Sequence, residues 1–343
     1  MTAMLYMGDK TFPYDEDIFL SQYQDEPDLV KNVLVESGIM VNDALITSAL
    51  SNGGNVFTIP FYNALAEADE QNYDGTTDIE LSTISASSQS GCAYGRAHGF
   101  FVDDFPQDFT TANPMAAIAA RMAKWKQTKR NARLTGIAKA VLDAKGMEKH
   151  KVTRDKVEAT TLSDAAQEVY GEYKGNVSLA IMHSSVAQAF EDLERVEFLK
   201  YTDPNGVTSE LPVYQVNGIT VLVSDDVPVT PAVPSSSTPA KYTTFMFSNG
   251  AFRIGDAKLA RPVFADRDEL KRGGTSYMGY RLREAIHANG FNFKAPTIAS
   301  GNGKGQAVVS PTDAQLATAS SWSLAYSDHR AIPFMSLTTP GIN

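Results

Sequence analysis

One segment sets the scale of anything this 343-residue chain can fold into: a single amphipathic pattern running from Asn113-Pro114 to Gly146. Asn is a good N-cap and Pro a good first helical residue. Met115, Ile118, Met122 and Trp125 fall on one face at helical spacing, and the stripe resumes at Leu134, Ile137 and Val141. Gly146 supplies the stop. The pattern predicts a helix of roughly 30 residues, about 45 Å at 1.5 Å per residue, against an average of ~11 residues. Such a rod is either a core helix of a large domain or a spine along which other parts are arranged.

Composition narrows the classes. A hydrophobic share of 43% supports a sizeable core, and a charged share of 20% is low for a disordered chain. A formal charge of −10 makes the chain a poor candidate for a dedicated nucleic-acid reader, because phosphate binding needs clustered Lys and Arg. The lone cysteine, Cys92, excludes an intrachain disulfide framework and a Cys-rich zinc site, and five scattered histidines do not suggest a metal cluster. Met1 to Lys10 lacks a basic stretch followed by an apolar core, so no signal peptide is expected. No apolar run approaches the ~20 residues that span a bilayer. The expectation is a soluble protein of a reducing compartment.

Before the helix, residues 1–40 read as an acidic, weakly periodic arm, with Asp15-Glu16-Asp17 and Asp25-Glu26-Pro27-Asp28. Asp43 to Leu50 is a short apolar piece closed by the turn Asn52-Gly53-Gly54-Asn55. Val56 to Tyr62 reads as a strand that Pro60 confines to an edge. A polar, acidic span follows, and a second extended piece lies near Ala97 to Val102. Together they predict a hairpin projecting from the body and leaning on a partner.

After the helix, strands and short helices alternate. Ser163 is expected to cap a helix with Ala166, Val169, Tyr170 and Tyr173 inward. Val177 to Met182 is a buried strand, and Ser184 or Ser185 caps a helix with Val186, Phe190 and Leu193 as its stripe. Gly218 to Val223 and Tyr242 to Phe247 are strands, separated by Asp225-Asp226 and a Pro/Ser-rich loop. Pro262 to Leu270, Tyr277 to Ile286 and Gly290 to Phe293 are antiparallel strands. A Gly-rich linker and a tail from Pro311 to Asn343 close the chain. The fold class is α+β, and the alternation of helices with short strands in the second half is an α+β or α/β subdomain.

Motifs with catalytic potential are each outweighed by a bland reading. Gly301-x-Gly303-Lys304-Gly305 lacks the spacing, the Ser or Thr and the strand–helix context of a phosphate loop. Cys92 and His98 share a segment without an orienting third group. Asp103-Asp104, Asp108 and Asp225-Asp226 lack cation-loop spacing and read as turn caps or solvent-facing acids. His183, between a strand and a helix cap, reads as structural. No catalytic residue, cofactor or metal is expected.

Charge is segregated along the chain. From Glu67 to Asp108, nine acids stand against Arg96 alone, a balance of −8. From Pro114 to His150, nine bases stand against Asp143 and Glu148, a balance of +7. The two blocks suggest an acidic projecting loop lying over a basic helix, and a loop that projects away from its own body would meet a neighbour's helix.

In this order of parts the chain resembles the tailed-bacteriophage major capsid protein family, whose Hong Kong phage-type fold is shared with encapsulins. Gly53-Gly54-Asn55-Val56-Phe57-Thr58-Ile59-Pro60-Phe61 resembles the strand entering the family's extended E-loop. Asn113-Pro114-Met115 resembles the start of its spine helix. Ile181-Met182-His183-Ser184 and Asn217 to Asp226 resemble its axial (A) domain, Arg261 to Phe293 its peripheral (P) strands, and Ser310-Pro311-Thr312-Asp313 with Ser321-Trp322-Ser323 a tail found in some members. The implied division is an arm over 1–50, the E-loop hairpin and flanking strands over 51–112, and a P-domain spine helix over 113–155. The A-domain would cover 156–255, P-domain strands 256–296, and a linker and C-terminal tail 297–343.

The resemblance implies a structural protein that assembles with itself, as hexamers and pentamers, into an icosahedral shell around viral double-stranded DNA. The expected place is the virion capsid, assembled in the host bacterial cytoplasm, with no membrane contact. Expected partners are a portal protein, a separate scaffolding protein and a decoration or cement protein, with non-specific contact to the packaged DNA. Intersubunit contacts are expected between Glu67, Asp69, Glu70, Asp74 and Asp78 of one copy and Lys124, Lys126, Arg130 and Arg133 of the next. Some relatives cross-link through an E-loop lysine, but there is no lysine between Lys31 and Lys124, which removes that chemistry from this loop. Some relatives also begin with a long charged scaffolding segment, and here the arm starts almost at once. An encapsulin-like cellular compartment is the alternative on the same fold, and a hydrolytic enzyme using His183 or Cys92 the remote one.

Overall fold

The computed structural model describes residues 3–7, 10–14, 39–63, 65, 70–73, 75–76, 78–79, 81–104, 114–193, 197–202, 208–225, 227–231, 239–294 and 310–341. Asn113, Asp108, Asp226 and the Gly301–Gly305 run lie outside the described residues.

Near the start lies an antiparallel pair, β1 (Ala3–Met7) and β2 (Lys10–Tyr14), that joins no other sheet among the described residues. β3 (Met40–Asn42) leads into α1 (Ala44–Ser51), whose cap Asp43 accepts a hydrogen bond from the Leu45 amide at 2.8 Å. Ile46 and Leu50 of α1 are buried, so the body of the molecule begins inside the range expected to be arm. β4 (Val56–Tyr62) and β5 (Ala86–Cys92) then form a two-stranded hairpin, followed by β6 (Tyr94–Asp103) and the long helix α2 (Pro114–Leu142).

The second half supplies β7 (Lys151–Thr153), α3 (Thr161–Tyr170), β8 (Val177–Met182), α4 (Ser184–Asp192), β9 (Glu197–Thr202), β10 (Thr208–Val216), β11 (Ile219–Val223), β12 (Val229–Thr230) and β13 (Lys241–Ser248). It ends with β14 (Phe252–Asp256), β15 (Val263–Asp268), β16 (Thr275–Ala288), β17 (Phe291–Phe293), α5 (Asp313–Leu316), β18 (Trp322–Leu324) and β19 (Phe334–Pro340).

Two sheets organise these elements. In the first, β16 is the axis: β6 pairs along one side of it, β15 and β14 share the other, and β3 joins β14 in parallel. The second runs β7-β19-β13-β8-β11-β10-β9, with β12 on β13. Its central strands read as near-continuous apolar runs because both faces are covered. Leu179, Ile181, Phe245 and Phe247 face the C-terminal half of α2, where Ile137 and Val141 wait. Their neighbours Ala180, Met182 and Met246 face α3 and α4, against Leu162, Val169, Val186 and Phe190. The alternation follows from the two-residue period of a strand.

The helix α2 joins the sheets. Met115, Ile118, Met122 and Trp125 pack on Val263, Met278 and Tyr280 of the first sheet. Leu134, Ile137 and Val141 enter the core shared with the second. The two halves of the predicted stripe therefore serve two different cores, with a polar stretch between.

Several expectations are corrected. The strand that partners Val56–Tyr62 is β5, in register Val56↔Cys92 to Tyr62↔Ala86, not Ala97 to Val102, which belongs to β6 and pairs with β16. Ser88-Gln89-Ser90-Gly91-Cys92, which by sequence looks like a flexible or strand-edge stretch, lies in β5. Ser163 lies within α3, whose cap position is Thr160, and Tyr173 is exposed in a turn beyond the helix. α4 is capped by His183, whose Nδ1 accepts from the Ser185 amide at 3.1 Å, so neither Ser184 nor Ser185 is the cap. Leu193 ends α4 as a partly exposed C-cap. Residues expected as tail supply β19, which lies inside the second sheet between β7 and β13. The segment is far from its sheet partners in sequence, so nothing local announces the insertion.

Candidate functional site: a projecting hairpin and its buried root

Among the described residues, hairpin β4–β5 pairs with no strand of either sheet. The alternation of β4 buries Phe57 and Ile59 against Ile46, Leu50, Ala93 and Ala285, and turns Val56 and Tyr62 outward. Gly91 sits under Phe57: a Cβ there would run into the Phe57 ring and lie 2.8 Å from His287 Nδ1, so the close approach of β5 to β16 favours a glycine.

The root is a buried polar cluster around Gln89, which is fully buried. Its Nε2 donates to Tyr326 Oη at 2.9 Å and to Asn289 Oδ1 at 3.3 Å, and its Oε1 accepts from the Gly290 amide at 3.0 Å. His287 Nε2 lies 3.3 Å from the same Oε1, and that oxygen can accept its proton. Next to it, the Ser90 amide donates to Asn292 Oδ1 at 2.8 Å. Phe61 meets Tyr326 edge-on at 5.1 Å. Each polar atom of Gln89 thus has a partner, which fixes one launch direction for the hairpin.

Beyond the root, the excursion between the strands presents large apolar side chains to solvent. Leu65, Tyr73, Ile79, Leu81 and Ile84 are exposed, from 52% at Ile84 to 91% at Leu81. Exposed apolar side chains grouped on a projection mark an interaction site. Of the acids expected to act here, Glu70 and Asp78 are exposed on the same excursion, while Glu67, Asp69 and Asp74 lie outside the described residues.

The bases of α2 divide differently from expectation. Arg133 is buried, its Nη1 3.2 Å from Glu284 Oε1 and its Nε 2.8 Å from Asp313 Oδ1. Arg130 Nη2 stands 3.6 Å from Glu284 Oε2, at ion-pair but not hydrogen-bond distance. Tyr94 donates its hydroxyl to Glu284 Oε1 at 2.8 Å, and the guanidinium groups of Arg133 and Arg96 lie 4.7 Å and 4.9 Å from its ring centre. Arg96 closes the circuit on Asp313 Oδ1 at 2.7 Å. Within the chain, Arg133 thus ties helix, sheet and C-terminal segment together, and Arg130 adds a longer ion pair to the same Glu284. Lys126 is half-buried on the same helix, and the side chain of Lys124 lies outside the described residues.

Burial opposes the charge on Arg133, but Tyr94, Asp313 and Glu284 outweigh it and hold its pKa above the ordinary arginine value. Burial also pushes Asp313 upward, and the bonds from Arg133 and Arg96 overcome that and hold its carboxyl below the usual range. Sequence reading missed Glu284, Tyr94 and Gln89. The available signal was an acid inside the apolar run Tyr277 to Ile286, since a carboxylate buried in a strand needs a buried cation.

The remaining candidates have structural neighbours. Burial pushes the Cys92 thiol up to about 11, away from the thiolate that a nucleophile needs. His98 stacks on Trp125 at 4.8 Å. Asp225 accepts from the Ser184 amide at 3.2 Å, joining His183 at the start of α4. Asp103 and Asp104, read as turn caps or solvent-facing acids, are instead ion-paired with Arg272 and Arg267. Among the described residues no group of three metal-ligating side chains is present, and no helix is long and apolar enough to cross a membrane.

No family model matches the chain. It is 23% identical over 299 residues to the major capsid protein of Bacillus phage SPP1, across 85% of this chain and 86% of that relative. The capsid of Ralstonia phage GP4 shares its fold with a TM-score of 0.55 at 8% identity, covering 90% of this chain and 91% of that one. The head structure of Helicobacter pylori bacteriophage KHP40 gives 0.52 at 9% identity, covering 88% and 86%. The fold is that of phage capsids.

Proposed function

We infer that this chain belongs to the tailed-phage major capsid proteins and is the structural subunit of an icosahedral virion shell. The observation that carries the reading is hairpin β4–β5: a rigidly rooted projection whose exposed Leu65, Tyr73, Ile79, Leu81 and Ile84 find no cover within the described residues. A shell asks each subunit for several different surfaces that close on one another. A projection that reaches a neighbour adds contact area toward the ~1,600 Å² of a standard interface without enlarging the core. The phage-capsid fold and the SPP1 relative favour a phage head over an encapsulin-like compartment.

The finer parts belong to the same proposal. The chain works by association, with no catalysis and no cofactor. Glu67, Asp69, Glu70, Asp74 and Asp78 meet Lys124 and Lys126 of a neighbour, where opposite charge steers encounter and sets register more than it adds affinity. Arg130 and Arg133 support that contact indirectly, by fixing the helix on which the lysines stand. Residues 51–112 act as the E-loop, 113–155 as spine, 156–255 as A-domain and 256–296 as P-domain, with β3 and β19 added from 1–50 and 297–343. A portal protein, a scaffolding protein, a decoration or cement protein and packaged DNA are its further partners.

The test is direct. The protein expressed alone is run by size exclusion, and its void fraction is viewed by negative stain. Closed particles or hexamer-sized capsomers are the expected result. A monodisperse monomer at all concentrations, with or without co-expressed partners, would sink the reading.

A further inference from the structure

The fold brings together two histidines that the sequence keeps far apart. His150 immediately precedes β7 and His329 lies in the turn before β19, and their ring centres are 5.7 Å apart at an interplanar angle of 86°. His150 is fully buried, and its Nδ1 lies 2.7 Å from Phe334 O. A carbonyl oxygen can only accept, so Nδ1 carries the proton and Nε2 the lone pair. That Nε2 is buried with no hydrogen-bond partner, and so is Nδ1 of His329. A buried polar atom in that position calls for a missing partner. The other three histidines differ: His98, His183 and His287 meet Trp125, Tyr242 and Phe57 instead.

Two unused imidazole nitrogens at this separation fit a metal ion. Rings that share a tetrahedral ion through bonds of about 2.0–2.1 Å have their centres roughly 5–6 Å apart. The bond from Nδ1 of His150 to a main-chain carbonyl is the outer arrangement that orients a ligating histidine and leaves its far nitrogen free to bind. The turn that carries His329 is held on its own account, by Asp328 Oδ1 accepting from the Arg330 amide at 2.9 Å and by Tyr170 Oη donating to Ile332 O at 3.0 Å. A cavity lies alongside: the Tyr170 ring centre stands 5.8 Å from that of His150, and Tyr170 also lines a space of about 170 Å³ with Ser248, Arg330 and Ile332. Two imidazoles fill half of a four-coordinate shell, and water from the cavity can complete it.

We propose that His150 Nε2 and His329 Nδ1 together bind one divalent ion of the zinc, nickel or copper class, the ions that imidazole suits. The ion is structural: it clasps the turn before β19 to the chain entering β7. β19 lies between β7 and β13, so the clasp closes the strand supplied by the C-terminal segment onto the second sheet. The inference stands apart from the assembly reading and adds a ligand to the folded subunit.

The test uses the full chain without a histidine tag, as unassembled subunits stripped of metal with a chelator and dialysed. Zinc titrated by calorimetry at about pH 7.5, where imidazole is neutral, should bind at one ion per subunit and raise the melting temperature by several degrees. His329→Ala, at a half-buried position, should keep the fold, judged by its metal-free melt, and weaken zinc binding about tenfold or more. Copper(II) added in place of zinc gives a reading on the wild type alone: electron paramagnetic resonance should show two imidazole nitrogens on the ion. No zinc uptake, uptake that His329→Ala leaves unchanged, or a copper spectrum with a single imidazole would each overturn the proposal and leave the two nitrogens bridged by water only. Each of these outcomes leaves the assembly reading where it stands, because that reading fails on the absence of particles and not on the absence of an ion.

Discussion

Arg133 Nη1 stands 3.2 Å from Glu284 Oε1, binding the second half of the long helix to the longest strand of the first sheet. Both side chains are almost wholly enclosed; Tyr94 donates to the same Glu284 Oε1, and Asp313 accepts from Arg133 Nε. The long helix and the longest strand are thereby tied to each other at this point.

Removing one member should cost far more than removing both. Glu284→Ala leaves Arg133 with Asp313 as its remaining acid and takes the buried acceptor from Arg133 Nη1 and from the Tyr94 hydroxyl, and a loss of about 3 kcal/mol is expected. The double replacement Arg133→Met/Glu284→Leu should recover most of it. Urea denaturation of the unassembled subunit measures both, and a single variant that loses under about 1 kcal/mol would contradict the assignment.

Acidification should weaken the hairpin root first. Burial, helped by Arg253 and partly opposed by Asp43, lowers His287 to about 4. The folded state thus binds its proton less readily than the unfolded chain does. No penalty exists above pH 6.5, and it grows as pH falls toward 4, reaching about 3 kcal/mol. His150, with Nδ1 on Phe334 O at 2.7 Å, is lowered chiefly by burial and adds in the same direction. Stability measured at pH 7, 5.5 and 4.5 should decline accordingly, and His287→Gln should flatten the slope.

Gly91→Ala should cost about 1–3 kcal/mol through overpacking against Phe57. Combining it with Phe57→Leu should cost less than the sum of the two single changes, because the second makes room for the first. Thermal melts of the four proteins give the coupling, and simple additivity would argue against the clash.

Tyr73→Ser, Ile79→Ser and Leu81→Ser together should separate folding from assembly. These side chains are exposed in the single chain, so each change should alter subunit stability by no more than about 0.5 kcal/mol. Particle yield should collapse all the same. Normal particles, counted by negative stain, would remove the hairpin excursion from the interface.

Much of this architecture is legible in local patterns. The apolar stripe from Met115 to Val141 announces a helix because its period is a property of consecutive residues, and the observed helix runs Pro114–Leu142. The strands at Val177–Met182 and Lys241–Ser248 show themselves as apolar runs for the same reason. The tier of exposed acids on the projecting excursion is likewise readable wherever its residues are described, at Glu70 and Asp78.

By itself, then, the sequence determined the long rod, the α+β class, the projecting hairpin with its first strand, and the segregation of charge, all of which depend on neighbours along the chain. Tertiary structure alone decided that Ala86–Cys92 completes the hairpin, that Phe334–Pro340 enters the second sheet, and that Arg133 turns inward to Glu284. Arg133 and Glu284 are 151 residues apart, and Gln89 and Tyr326 are 237 apart. No local period encodes such pairings, because a buried charge or amide finds its partner only when the packed core leaves it nowhere else to go.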